Sequence, residues 1–145
     1  MHLEIPQYLL ESGVSGSSCI AVTQPRRVAA TSLAVRVAAE QNTPLGTGKV
    51  GYSVRFDDMT SDETKIKYVT DGMLVREMMS DPLLASYCVI VIDEAHERTL
   101  RTDILIARLK EIQERRKRDK GANPLKVVIM SATLDAEKFS KFYNK

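Results

Sequence analysis

Two adjacent carboxylates, Asp93 and Glu94, followed by Ala95 and His96, come directly after the apolar run Val89-Ile90-Val91-Ile92. A β-branched run without polar alternation predicts a central strand of a parallel sheet, buried on both faces. In open α/β sheets ligands sit beyond the carboxyl ends of the strands, where this pair emerges. One carboxylate there can hold a hydrated Mg2+, and its neighbour can orient or deprotonate a water. The plain alternative is a strand that runs into an acidic turn; the four buried residues before the pair and the Ala-His after it favour chemistry. Three further strand ends carry unusual polar residues: Gln24-Pro25-Arg26-Arg27, Thr70-Asp71-Gly72 and Ser131-Ala132-Thr133. Right-handed crossovers would place all four ends on one edge of the sheet. That edge would offer carboxylates for a metal, hydroxyls for bridging and guanidiniums for phosphate. Helix N-termini after Pro25 and Asp71 would add backbone N–H donors.

The elements that position these groups follow from periodicity and breakers. A helix is predicted over 1–11, with Pro6 in its first turn, then a loop over 12–18 and a short buried strand over 19–23. An Ala/Val-rich helix covers 26–40, and 42–48 is a turn-rich connector. Residues 50–56 alternate like a half-exposed strand, 57–63 read as polar loop, and 66–70 as another strand. Asp71-Gly72 opens a helix over 73–79, and Pro82 ends that unit. A long helix over 103–118 has Ile104, Leu105, Leu109 and Ile112 as its apolar positions. Its closing run, Arg115-Arg116-Lys117-Arg118, reads as a solvated helix end suited to the macrodipole, with a nuclear-import or RNA-touching patch as the rarer alternative. A second apolar strand over 127–130 leads to a last helix over 135–143. Met73, Met78 and Met79 are expected in the core, and Tyr52 and Tyr68 as packing residues. Strands alternating with helices indicate a mostly parallel, doubly wound α/β sheet.

The chain has 145 residues, room for one domain with a real core. Its 43% hydrophobic and 28% charged content is ordinary for a globular protein, and a net charge of +2 neither requires nor excludes a nucleic-acid partner. No apolar run approaches the roughly 20 residues needed to span a bilayer, so no membrane role is expected. Cys19 and Cys88 each abut an apolar run and read as reduced core residues of an intracellular protein. A zinc-protease reading fails because His96-Glu97 would need a histidine at position 100, which is Leu100. A metal-dependent nuclease built on Asp93 and Glu94 lacks a third acidic residue placed to share a second ion.

Five collinear stretches carry a resemblance. Thr23-Gln24-Pro25-Arg26-Arg27-Val28-Ala29-Ala30, Val50-Gly51-Tyr52-Ser53-Val54-Arg55-Phe56, Thr70-Asp71-Gly72-Met73-Leu74, Asp93-Glu94-Ala95-His96-Glu97-Arg98 and Ser131-Ala132-Thr133 occur in order over nearly the whole chain. Together they resemble the first RecA-like domain of DEAH-box ATP-dependent RNA helicases, close to spliceosome- and ribosome-associated members. The resemblance implies a RecA-like, P-loop NTPase type sheet with helices on both faces, and makes residues 1–145 one partial ATP-binding domain. It implies ATP and Mg2+ as cofactors in the intact family, with Asp93 helping to hold the metal and Glu94 polarising the attacking water. His96 would contact the Ser131-Ala132-Thr133 segment or the nucleotide, coupling hydrolysis to movement. Pro25, Arg26, Arg27 and the Thr70-Asp71-Gly72 turn would grip the RNA backbone. RNA is the implied partner, with spliceosomal or other ribonucleoprotein partners, a role in mRNA processing and a nuclear location following from the same likeness.

The chain also departs from that pattern. Phosphoryl-transfer enzymes of this class need a Gly-rich loop ending in Gly-Lys-Ser/Thr. Here the sole Gly-Lys, Gly48-Lys49, is followed by Val50 and has Thr43 where the first glycine belongs. In the family that loop and its strand precede a segment like residues 5–10, so the expectation is a chain lacking the first strand and P-loop. Losing about three charge-assisted hydrogen bonds at roughly 1.5–3 kcal/mol each removes some 4–9 kcal/mol of phosphate binding. That is about three to six orders of magnitude in affinity. The expectation is weak ATP binding and negligible hydrolysis. Without the second RecA-like domain of such helicases no unwinding is expected, and a missing strand beside 127–130 predicts marginal stability or association. The rival from another class is a non-catalytic RNA- or protein-binding fragment.

Overall fold

The computed structural model of the chain describes residues 4–13, 16, 18–93, 100–119 and 123–130. Its elements are helix α1 (Glu4–Glu11), strand β1 (Cys19–Gln24), helix α2 (Arg27–Glu40), strands β2 (Val50–Val54), β3 (Asp57–Met59) and β4 (Ile66–Thr70), helix α3 (Asp71–Ser80), strand β5 (Tyr87–Ile92), helix α4 (Leu100–Arg118) and strand β6 (Lys126–Ile129). The six described strands form one sheet in the order β3-β2-β4-β1-β5-β6. Every pairing among them is parallel except β2 with β3, so the doubly wound α/β reading holds, with one antiparallel edge.

Both faces of the central strands are covered, as their unbroken apolar runs require. Ile20, Val22, Val89 and Val91 point to the face packed by Ala30, Ala34, Val37 and Ala38 of α2. Ala21, Ile90 and Ile92 point to the other, packed by Leu74 of α3 and Leu105, Ile106, Leu109 and Ile112 of α4. The four buried positions of α2 are three alanines and a valine, which lets its backbone lie close to the sheet. On α3, Glu77 accepts from Lys67 Nζ at 3.1 Å and from the Tyr87 hydroxyl at 2.7 Å, clipping the helix to β4 and β5. Cys19 and Cys88 are free and pack on opposite faces of the sheet.

Several sequence expectations are corrected. The strand expected over 50–56 ends at Val54, and 57–63 is not all loop: Val54 pairs with Asp57 and Tyr52 with Met59, making a tight hairpin. Nor is β2 half-exposed; four of its five residues are buried, because α2, β3 and β4 surround it. A Cβ on Gly51 would stand 2.3 Å from the Met59 carbonyl oxygen, so only glycine permits this close approach of β3. On α4 the inward set includes Ile106 while Ile104 is 41% exposed, and the helix begins at Leu100, a turn earlier than periodicity suggested. Met79 is 84% exposed rather than in the core.

A further correction concerns the basic run. Arg116 is 3% exposed, and its guanidinium donates to the carbonyls of Asn123 (2.9 Å), Leu84 (3.2 Å) and Tyr87 (2.9 Å). Burial lowers its pKa from the ordinary arginine value. Its planar fork ties the loop before β5 and the first residue of that strand to the segment before β6. The run is therefore not wholly solvated. Gly48-Lys49 leads into strand β2 rather than into a helix, in agreement with its rejection as a phosphate loop. The helix expected over 135–143 lies outside the described residues.

Candidate functional site

The carboxyl ends of β1, β4, β5 and β6 lie side by side. Gln24 is in register with Thr70, the Asp93 N–H donates to Thr23 O at 3.3 Å, and the Met130 N–H donates to Ile92 O at 2.8 Å. Parallel pairing with helical crossovers makes this alignment compulsory, since each strand runs the same way through the sheet. Asp93 stands at its centre, 2% exposed. Its Oδ2 accepts a 2.5 Å hydrogen bond from Gln24 Nε2, whose residue is also 2% exposed. Beneath it the Tyr68 phenol is fully buried, and burial first, then the nearby Asp93 charge, push its pKa up. Glu94, Ala95 and His96, and likewise Ser131, Ala132 and Thr133, lie outside the described residues. The strands leading into these two segments are hydrogen-bonded neighbours from Val89 and Lys126 onward.

Could this rim hold Mg2+ and a nucleotide? A hard carboxylate oxygen at a strand end is the donor Mg2+ prefers, and Mg2+ is commonly held by one or two carboxylates, waters and substrate phosphates. Among the described residues no three His, Cys, Asp or Glu side chains gather into an all-protein cage. The buried Thr23 hydroxyl, beside Asp93 in the ladder, has no hydrogen-bond partner among the described residues. The donor set fits a metal held largely by its phosphates and waters, with Asp93 as the described anchor and Glu94 next in sequence.

The arginine turn sits at the start of α2. Pro25 is half-buried, whereas Arg26, Arg27 and Val28 are exposed. Arg26 is the N-cap residue, extended at φ −122° and ψ 138°, and among the described residues no side chain caps the helix. Among the described residues the first backbone N–H groups of this 14-residue helix thus have no N-cap side chain as acceptor, and they lie beside two guanidiniums, an arrangement suited to phosphate. Arg27 Nη1 donates to Arg55 O at 3.2 Å, joining this turn to the β2–β3 hairpin.

That hairpin supplies residues that sequence reasoning quoted but did not select. Phe56 is 88% exposed at φ 66°, a left-handed conformation that bulky residues avoid. The Arg55 guanidinium lies 4.9 Å from the centre of its ring. A strained, solvent-facing aromatic under a cation is a ready platform for a flat π-system. The available signal was an Arg-Phe pair directly after a strand.

The Thr70-Asp71-Gly72 turn divides its labour. Thr70 caps α3, its hydroxyl accepting from the Met73 N–H at 3.4 Å. Asp71, 2% exposed, turns inward, and its carboxylate accepts from the Thr102 hydroxyl of α4. Its side chain therefore faces protein, and outward contact from this turn falls to Thr70 and Gly72. Both line a groove of about 280 Å³ with Arg55, Met73, Arg76 and Ile104.

No family model matches the chain. It is 57% identical over 141 residues, 97% of its own length, to ATP-dependent RNA helicase DHX33 of Homo sapiens. The Mus musculus protein of the same name is 56% identical over 142 residues. Probable ATP-dependent RNA helicase DHX35 of Homo sapiens is 55% identical over 144 residues, 98% of the chain. The chain spans about 20% of the length of these relatives.

Proposed function

The chain belongs to the DEAH-box ATP-dependent RNA helicase family, whose curated relatives it matches over about a fifth of their length, and on that premise we propose that it carries the RNA-facing and metal-facing rim of the family's first RecA-like lobe. The observation that supports this most is the convergence of Gln24, Thr70 and Asp93 at adjacent strand ends, flanked by the uncapped arginine turn. Single-stranded RNA lies with its phosphates on Arg26, Arg27 and the α2 N-terminus, and stacks a base on Phe56. Thr70, Gly72 and Arg76 continue the track along the groove. Such gripping is independent of sequence and salt-sensitive, as a motor on any RNA requires.

ATP and Mg2+ are the proposed cofactors of the whole protein. The metal, when bound, neutralises developing phosphate charge. On the protein side, Asp93 would help to hold it and Glu94 would position the attacking water, with His96 and Ser131-Ala132-Thr133 linking that site to RNA. Sequence offers no Gly-Lys-Ser/Thr loop within the 145 residues, so the chain by itself binds RNA without appreciable turnover. The whole protein's RNA remodelling, its ribonucleoprotein partners and a nuclear location are proposals that rest on the family likeness.

The test is fluorescence anisotropy of a short single-stranded RNA titrated with the chain at several salt concentrations. Arg26→Ala/Arg27→Ala should weaken binding and flatten the salt slope by about 0.7 for each phosphate no longer neutralised. Binding that is absent, or unchanged in the double variant, would overturn the reading. A steady-state ATPase rate of the isolated chain that vanishes in Glu94→Gln would refute its inactivity.

A further inference from the structure

Gln24, at the root of the arginine turn, and Asp93, at the acidic strand end, are 69 residues apart in sequence yet joined by a buried side-chain hydrogen bond, Gln24 Nε2 to Asp93 Oδ2 at 2.5 Å. Gln24 is the last residue of β1 and immediately precedes Pro25-Arg26-Arg27. Its neighbour Thr23 meets Asp93 as well, but only through the backbone. A long amide that is 2% exposed, at a position where an apolar residue would continue the core, calls for a reason beyond packing. We propose that Gln24 is a positioning residue: it holds the Asp93 carboxylate in one rotamer and makes that rotamer depend on where RNA sets the arginine turn.

The physical case is stiffness. Pro25 has a restricted φ and follows Gln24 directly, so a displacement of Arg26 and Arg27 is passed to β1 rather than absorbed in a flexible linker. A charge-assisted hydrogen bond in a buried setting is strong and geometrically demanding, so the carboxylate follows the amide. Among the described residues the rim has another tie of this kind, from Thr102 to Asp71, which joins α4 to α3 rather than β1 to Asp93. It serves as a control. The inference rests on the RNA-gripping reading of Arg26 and Arg27, and it names the side chain by which that grip reaches the metal-facing carboxylate.

The experiment is backbone-amide NMR of the 145-residue chain, titrated with a short single-stranded RNA and without nucleotide. In the wild type the amides of Arg26, Arg27, Ile92 and Asp93 should shift together, with one midpoint. Gln24→Met, close to isosteric, should keep the shifts at Arg26 and Arg27 and lose those at Ile92 and Asp93. Thr102→Val, which removes a buried hydrogen bond elsewhere on the rim, should keep all of them. The proposal is overturned if RNA moves Arg26 and Arg27 but not Asp93 in the wild type, a measurement that needs no variant. It is equally overturned if Gln24→Met leaves the Asp93 shift intact, or if Thr102→Val abolishes it too. Absence of any RNA-induced shift, including at Arg26 and Arg27, would instead remove the RNA-gripping reading and this inference with it.

Discussion

Replacing Phe56 by asparagine separates binding from stability, because the two effects are expected to have opposite signs. Phe56 is 88% exposed, so its removal forfeits little buried apolar area. Its φ of 66° costs about 1–2 kcal/mol for a bulky L-residue, and asparagine tolerates that region. Against this stands the loss of the exposed cation–π interaction with Arg55, worth about 0.5–1 kcal/mol. The balance is a chain between zero and about 1.5 kcal/mol more stable, read as an unchanged or higher urea midpoint at constant m. RNA binding should move the other way. Stacking of one base on an aromatic is worth about 1–3 kcal/mol, so the Kd should rise about 5- to 150-fold. Anisotropy titrations at one fixed salt concentration measure this, with Phe56→Tyr expected to bind like the wild type. An unchanged Kd in Phe56→Asn would refute the stacking platform. A stability loss above about 1 kcal/mol would refute the picture of an exposed, strained turn.

Two further outcomes follow from groups away from the rim. Arg116→Ala removes a buried donor from the Tyr87 carbonyl, while Leu84 O keeps the Tyr87 N–H and Asn123 is exposed, and should cost about 1–3 kcal/mol, whereas Arg115→Ala, on the exposed side of the same run, should stay within about 0.5 kcal/mol; urea unfolding of both variants decides it. Burial pushes the Cys19 thiol up from 9.0 to about 12, with Lys67 opposing in part, so the folded state favours the protonated thiol. Its stabilising contribution is complete below pH 9, the unfolded value, and is lost as pH rises from there through about 12. Cys19→Ala should flatten that alkaline fall in melting temperature; an identical pH profile would refute it.

Local pattern alone determined much of this protein. Unbroken runs such as 89–92 identify strands buried on both faces, Pro25 and Pro82 mark boundaries, and helices between strands compel parallel pairing. Parallel pairing in turn places Gln24, Thr70, Asp93 and Met130 on one rim, a conclusion that needs no knowledge of strand order. Only the tertiary structure decided which side chains on that rim meet. Gln24 reaches Asp93 across 69 residues and Asp71 turns to Thr102 across 31, contacts set by register and helix docking. The β2–β3 hairpin was hidden because it holds a bulky Phe56 where turn chemistry expects glycine or asparagine. Arg116 read as a solvated cation because a run of like charges gives no hint that one member faces inward. Periodicity reports what each segment must bury against something; which partner it finds depends on distances between segments that no single stretch of chain contains.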